Sequence, residues 1–121
     1  MLPHLNLDVR DDQRLFFVTD IHGCILSMDV ALDMCGFKVC QDVVVCAGDL
    51  IDRGTHNLKT AFRFINDKTG SYYSVIGNHD QFAIKQDWDN WFSNGGKWII
   101  DEGFTHDEMA EFGQSLAKLP Y

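Results

Sequence analysis

The chain has 121 residues, 45% of them apolar, and a formal net charge of −8. That is enough for one folded domain and too apolar for general disorder, and an acidic chain without a Lys/Arg block excludes nucleic-acid binding through a basic patch. No apolar run approaches the roughly 20 residues that span a bilayer. The start, Met1-Leu2-Pro3-His4, lacks a basic stretch followed by an apolar core. No secretory leader is therefore expected, and a cytoplasmic location is.

In chain order, Leu15-Phe16-Phe17-Val18-Thr19 reads as a buried strand. It runs into Asp20-Ile21-His22-Gly23. A helix follows, with Ile25, Met28, Leu32 and Cys35 on one stripe and Gly36 placed to end it. Cys24, Cys35, Cys40 and Cys46 form no C-x-x-C pair, so free thiols filling core or near-core space are expected rather than a zinc knuckle. The second strand, Val43-Val44-Val45-Cys46-Ala47, leads into Gly48-Asp49-Leu50-Ile51-Asp52-Arg53-Gly54. The next helix carries Leu58, Ala61, Phe62 and Ile65 at i, i+3, i+4, i+7 spacing. The third strand, Tyr72-Tyr73-Ser74-Val75-Ile76, ends in Gly77-Asn78-His79-Asp80. Trp88, Trp91 and Trp98 read as core or helix-packing residues ahead of a substrate groove. Thr105-His106-Asp107-Glu108 is a capping-box pattern, with His106 a solvated first-turn residue; Met109, Phe112, Leu116 and Leu119 then share one helix face that Pro120 closes.

The order β-α-β-α-β predicts an α/β fold with a parallel sheet, right-handed crossovers and, given continuous apolar strands, cover on both faces. Asp20, Asp49 and Asn78 follow one another at equal intervals, each just past a strand. All three clusters therefore fall at the carboxyl edge of one sheet, where α/β proteins build their sites. The residue types suit a pair of metal ions. Asp20 and His22, two apart on an extended strand end, can face one ion; Asp49 can bridge two; Asn78 offers a carbonyl oxygen to the second. Mixed oxygen and nitrogen ligands suit Mn²⁺, Fe or Zn²⁺ better than Ca²⁺. Two ions ~3.5–4 Å apart clamp a phosphate and activate a water. His79 can protonate a leaving alcohol, Asp52 can orient His79, and Arg53 can grip phosphate oxygens. Taken singly, an Asp after a strand is usually a helix cap, Gly-Asp and Gly-Asn are ordinary turn residues, and a lone His is usually structural. Three such clusters, in order and at equivalent places, point to the site.

These motifs resemble those of the phosphoprotein phosphatase (metallophosphoesterase) family, D-x-H-G, G-D-x-x-D-R-G and G-N-H-E, over roughly residues 12 to 120. Cys24 after the first motif and Asn94-Gly95-Gly96-Lys97-Trp98 resemble the bacteriophage lambda-type bacterial serine/threonine protein phosphatases. The resemblance implies a first metal on Asp20, His22 and Asp49, a second on Asp49 and Asn78, His79 as general acid with Asp52 its partner, and Arg53 on phosphate. It implies a two-sheet α-β-β-α sandwich, of which residues 1–121 form a single incomplete domain supplying the N-terminal β-α-β-α-β half. The family's further histidines for the second metal have no counterpart, since His4, His56 and His106 sit in no matching motif. The metal is expected to be Mn²⁺, with Fe or Zn²⁺ open, and the second site to be weakened.

Three functions follow as expectations. The first is hydrolysis of phosphate monoesters, in a phosphoprotein or a small ester, by a metal-activated water. The second is a catalytically impaired, truncated phosphatase that binds metal, phosphate or a partner; the missing histidines speak for it, while intact His79, Asp52 and Arg53 speak for the first. The third is a diadenosine-polyphosphate hydrolase, suggested by Asp80 in place of the family's Glu. An uncovered apolar sheet face implies a homo-oligomer or a covering partner protein, an expectation that sedimentation as a well-behaved monomer would count against.

Overall fold

The computed structural model describes residues 5–121; Met1–His4, on which the leader expectation rests, lie outside the described residues. Strands β1 (Leu15–Val18), β2 (Val43–Cys46) and β3 (Tyr72–Ser74) form one parallel sheet in the order β1-β2-β3. The register pairs Phe17 with Val45 and Val45 with Tyr73. Each strand ends one or two residues earlier than its apolar run, because Thr19, Ala47, Val75 and Ile76 already belong to the loops that carry the polar clusters.

Helix α1 (Ile25–Met34) buries Ile25, Met28 and Leu32 as its spacing predicts. Cys35 caps it, and Gly36 at φ +77° follows in the left-handed conformation. Phe37 N–H then reaches back to Leu32 O (2.9 Å), which satisfies a carbonyl the helix end would leave open. Helix α2 (Asn57–Ile65) is turned from the expected face. Its buried line is Asn57, Thr60, Ala61 and Phe64, while Leu58, Phe62 and Ile65 are half-buried at its margin. The polar members are tied down by hydrogen bonds: Thr60 Oγ1 donates to His56 O (2.7 Å), and Asn57 Oδ1 accepts from Asp52 N–H (2.8 Å). Core position thus goes to groups whose partners cannot be read from periodicity.

The two helices cover one face of the sheet, where the rings of Phe16, Phe37, Tyr72 and Phe64 meet edge-on or tilted at 5.4–5.8 Å. The opposite face carries the row Phe17, Val45, Tyr73, with Phe17 74% exposed. Cover on both faces, expected from the apolar strands, is therefore not present within the described residues. The cysteine expectation also fails in three places: Cys24, Cys35 and Cys40 are exposed, and Cys46 is the buried thiol, pushed up to about 11 chiefly by burial.

Residues 78 to 104 show no long period, and they fold as three short helices, α3 (Asn78–Ile84), α4 (Trp88–Trp91) and α5 (Trp98–Asp101), with a wide helical turn at Phe92–Gly96. Helix α6 (His106–Leu116) starts on the predicted capping box: Thr105 Oγ1 accepts from Glu108 N–H (3.2 Å), and Glu108 Oε1 from Thr105 N–H (3.1 Å). Met109, Phe112, Leu116 and Leu119 are buried and His106 is exposed, as expected, but the helix ends at Leu116, ahead of Leu119 and Pro120. The chain then returns to the sheet, where Pro120 O accepts from Ile76 N–H (2.9 Å) just past β3. Among the described residues no helix is long and apolar enough to cross a membrane.

At the far end of the sheet, buried Asp42 accepts from Arg14 Nη2 (2.7 Å), Arg14 N–H (3.2 Å) and Lys38 N–H (2.8 Å). The Arg14 guanidinium holds this carboxyl well down, to about 2, against the opposing effect of burial. A carboxyl lowered on folding contributes stability that is present above its unfolded value near 3.8 and lost as pH falls toward about 2. Urea midpoints measured from pH 6 downward are expected to drop across that window by less in Asp42→Asn than in the parent; equal drops would show that Asp42 does not carry this linkage.

Candidate metal centre

The parallel ladder continues past β1 and β2 into their loops. Asp20 N–H donates to Gly48 O (3.2 Å), His22 N–H to Asp49 O (3.0 Å) and Gly23 N–H to Leu50 O (2.8 Å). The first and second loops are thus joined backbone to backbone. The second and third are joined by Asp80, whose fully buried carboxylate accepts from Asp49 N–H and Leu50 N–H (3.0 Å each) and from Gly77 N–H (2.9 Å). Burial pushes the Asp80 carboxyl up, while the Gly77 and Leu50 N–H groups pull it down. A Cβ on Gly77 would lie 2.2 Å from Asp49 N and 2.4 Å from Asp49 Oδ1, so the third loop can approach the second only with glycine there.

This tight joining imposes unusual backbone geometry. Seven non-glycine residues among those described have positive φ, and five of them belong to the clusters: Asp20 (51°), His22 (46°), Asp49 (57°), Asp52 (79°) and Arg53 (72°). Each left-handed residue costs about 1–2 kcal/mol, and strain of this kind gathers where side chains must be aimed. Hydrogen bonds to a buried carboxylate are worth roughly 1.5–3 kcal/mol each, so the three on Asp80 offset much of it.

The geometry brings Asp20, His22 and Asp49 together: one ligand atom from each lies within 4.8 Å of the others. His22 Nδ1 lies 2.8 Å from Ile51 O, so that nitrogen carries the proton and Nε2 keeps its lone pair facing Asp20 Oδ1 at 3.6 Å. Asp20 is exposed, and its carboxyl is held below the ordinary value, first by Thr19 Oγ1 donating to Oδ2 at 2.6 Å. Asp49 Oδ1 accepts from His79 N–H at 2.9 Å. The carboxylates of Asp20 and Asp49, gathered this closely, repel each other in the bare protein. A divalent cation turns that repulsion into attraction, and two carboxylate oxygens plus one imidazole nitrogen fit its donor preferences. Asn78, at the start of α3, and Arg53 are exposed at the same edge, and neither side chain makes a hydrogen bond among the described residues.

Beside the ligand group stands a second constellation. His79 is buried, its ring edge-on to His22 at 4.8 Å, and its Nδ1 lies 2.8 Å from Asp52 Oδ2. Asp52 is itself fully buried and also accepts from the indole N–H groups of Trp91 (2.9 Å) and Trp98 (2.7 Å). The tryptophans were expected as core or packing residues. Trp91 is core, but both also donate to a site carboxylate, and no sequence signal ties residues so far apart to Asp52. In the sequence Asp80 stands out only as a departure from the family's Glu. Its position three residues after a turn glycine, at the start of a helix, was the available signal for its backbone role.

A family model for calcineurin-like phosphoesterases matches residues 13–118. Serine/threonine-protein phosphatase 2 of Salmonella typhimurium is 37% identical over 97 residues, covering 75% of this chain and 43% of that protein. The symmetrical bis(5'-nucleosyl)-tetraphosphatase of Aromatoleum aromaticum is 35% identical over 71 residues, covering 59% of this chain and 26% of its own. The chain thus spans less than half the length of either relative. A protein serine/threonine phosphatase structure from Saccharomyces cerevisiae superimposes with a TM-score of 0.64 over 90% of this chain and 34% of its own, at 19% identity, which shows the shared fold.

Replacing Asp80 by Asn keeps the volume but turns one acceptor into a donor that faces backbone N–H. Asp80→Asn is expected to cost about 2–3 kcal/mol in urea unfolding, the range for stranding one or two buried donors. A cost below about 0.5 kcal/mol would show that Asp80 does not hold the loops together.

Proposed function

The chain belongs to the calcineurin-like phosphoesterases, and on that premise we propose that it hydrolyses phosphate monoesters of the serine/threonine protein phosphatase type with Mn²⁺. The observation that carries this reading is the convergence of Asp20, His22 and Asp49 within 4.8 Å beside the His79–Asp52 pair. A divalent ion on the three ligands would supply Lewis acidity toward a phosphoryl oxygen and a more acidic water. The chain's own residues do the rest. Asp52 fixes the proton of His79 on Nδ1, so that Nε2 is the nitrogen aimed at the leaving group. As a water oxygen bonds to phosphorus and gives up its proton to solvent, the ester P–O bond breaks, and His79 in its imidazolium form passes its Nε2 proton to the departing alkoxide while Nδ1–H stays on Asp52. Arg53, exposed and without a side-chain hydrogen bond among the described residues, would hold two non-bridging phosphate oxygens. Asp49 and Asn78 would give a second ion fewer protein ligands than the first, so full activity is the demanding part of the reading.

A relative named as a symmetrical bis(5'-nucleosyl)-tetraphosphatase supports a second reading, cleavage of a dinucleoside polyphosphate. Asp80, which suggested that reading in the sequence, lends it nothing, because its oxygens are taken by three backbone N–H groups.

Hydrolysis of p-nitrophenyl phosphate with Mn²⁺ is expected for the chain, with loss on chelation. A fall of roughly 10²–10⁴-fold is expected in His79→Asn, the range for removing a general acid, and a loss at least as large in Asp49→Asn. Parent turnover no higher than the two variants would sink the enzyme reading for this chain and leave a metal- or phosphate-binding module. Faster release of nucleotide from diadenosine tetraphosphate than of phenolate would move the substrate class to the second reading.

A further inference from the structure

The carboxylate of Asp52 has no exposed surface, and all of its side-chain hydrogen bonds among the described residues come from three rings. Trp98 Nε1–H donates to Oδ1 at 2.7 Å. Trp91 Nε1–H is shared between Oδ1 at 2.9 Å and Oδ2 at 3.1 Å. His79 Nδ1 meets Oδ2 at 2.8 Å. The two indoles stand nearly perpendicular, at 86°, with ring centroids 6.2 Å apart. They approach the carboxylate from different directions and together fix its rotation.

The segment between them is shaped around this contact. Gly95, at φ +102°, lies against Arg53 and Asp52: a Cβ there would meet Arg53 Cγ at 3.1 Å and Asp52 Cβ at 3.4 Å. Gly96 is buried, and a Cβ there would fall 2.4–2.6 Å from the Trp91 indole. An interrupted helix at Phe92–Gly96, with Asn94 and Gly95 off helical geometry, joins the two tryptophans, and both indoles reach Asp52. Packing alone would not need both indole nitrogens aimed at one carboxylate. A phenylalanine fills similar space without the N–H.

We propose that Trp91 and Trp98 are positioning residues: their paired N–H donors lock the Asp52 carboxylate so that Oδ2 is held for His79 Nδ1–H, which fixes the tautomer and tilt of His79. The inference rests on the reading of His79 as the acid only for its catalytic consequence; the lock itself is independent of turnover. Without the Trp98 donor, Oδ1 is left buried with only the shared Trp91 contact. The carboxylate can then rotate, and the imidazole loses its fixed partner.

The test is ¹H–¹⁵N nuclear magnetic resonance on the labelled chain without added metal. The indole signals of Trp91 and Trp98 are expected downfield of that of Trp88. Asp52→Asn, which keeps the volume, is expected to move both and leave Trp88 in place. In Trp98→Phe, long-range spectra of the imidazole are expected to show His79 passing from one tautomer, protonated at Nδ1, to a mixture. The Trp91 indole proton is expected to exchange with solvent roughly tenfold faster, as befits a weakened hydrogen bond to a carboxylate. Unmoved indole signals in Asp52→Asn would overturn the lock, and so would an unchanged His79 tautomer in a folded Trp98→Phe. If Trp98→Phe does not fold, the indole shifts of Asp52→Asn decide alone. Absence of phosphatase activity would strike the proposed function and leave these signals as they are.

Discussion

One carboxylate holds the site's framework together. Asp80 lies outside the group of three ligands, yet it takes the N–H groups of Asp49, Leu50 and Gly77 and so fixes the second loop against the third. The first loop is then laid on the second by continuation of the β1–β2 ladder. Everything chemical hangs from these contacts. Asp49 can meet Asp20 and His22 only because its loop is held in a left-handed bend, and that bend is costly without its hydrogen bonds. The close passage at Gly77 leaves no room for a side chain, which places the His79 N–H on Asp49 and aims the start of α3 into the cluster.

The electrostatics of this framework favour a cation. An acidic chain gathers two carboxylates and an imidazole lone pair within 4.8 Å, and the orientation of His22 is already set by its bond to Ile51 O. Bringing like charges together costs free energy in the bare protein, and that cost becomes affinity once a divalent ion sits between them. The His79–Asp52 pair is built on the opposite plan. It is buried, and its carboxylate is hydrogen-bonded by two indoles from a distant helix segment. An open, strained ligand group thus stands beside a buried histidine whose Nδ1 side is held by Asp52.

Much of this was legible in the sequence, for a local reason. The capping box at Thr105–Glu108 and the αL glycine at Gly36 are written in neighbours a few positions apart, and the structure contains them where the spacing puts them; the polar clusters do follow their strands, but Asp20 and His22 sit in a left-handed loop and not on an extended strand end. What escaped depends on distance. The face of α2 is set by Asn57 and Thr60, whose partners are Asp52 N–H and a backbone carbonyl rather than a periodic stripe. The short helices between 78 and 104 are too brief to show a period. Trp91 and Trp98 meet Asp52 across separations of 39 and 46 residues, so nothing near them in the chain announces the contact. Exposure of Cys24, Cys35 and Cys40, and of Phe17 on the bare sheet face, follows from which surfaces the helices happen to cover.

Asp20, His22 and Asp49 are expected to hold a cation at the carboxyl edge of the sheet, which anomalous diffraction from crystals of this chain soaked in Mn²⁺ would reveal. A peak bonded to His22 Nε2 and to carboxylate oxygens of Asp20 and Asp49 is expected, absent from crystals of Asp49→Asn. A map without density there, or with its strongest peak at some other carboxylate cluster, would contradict it.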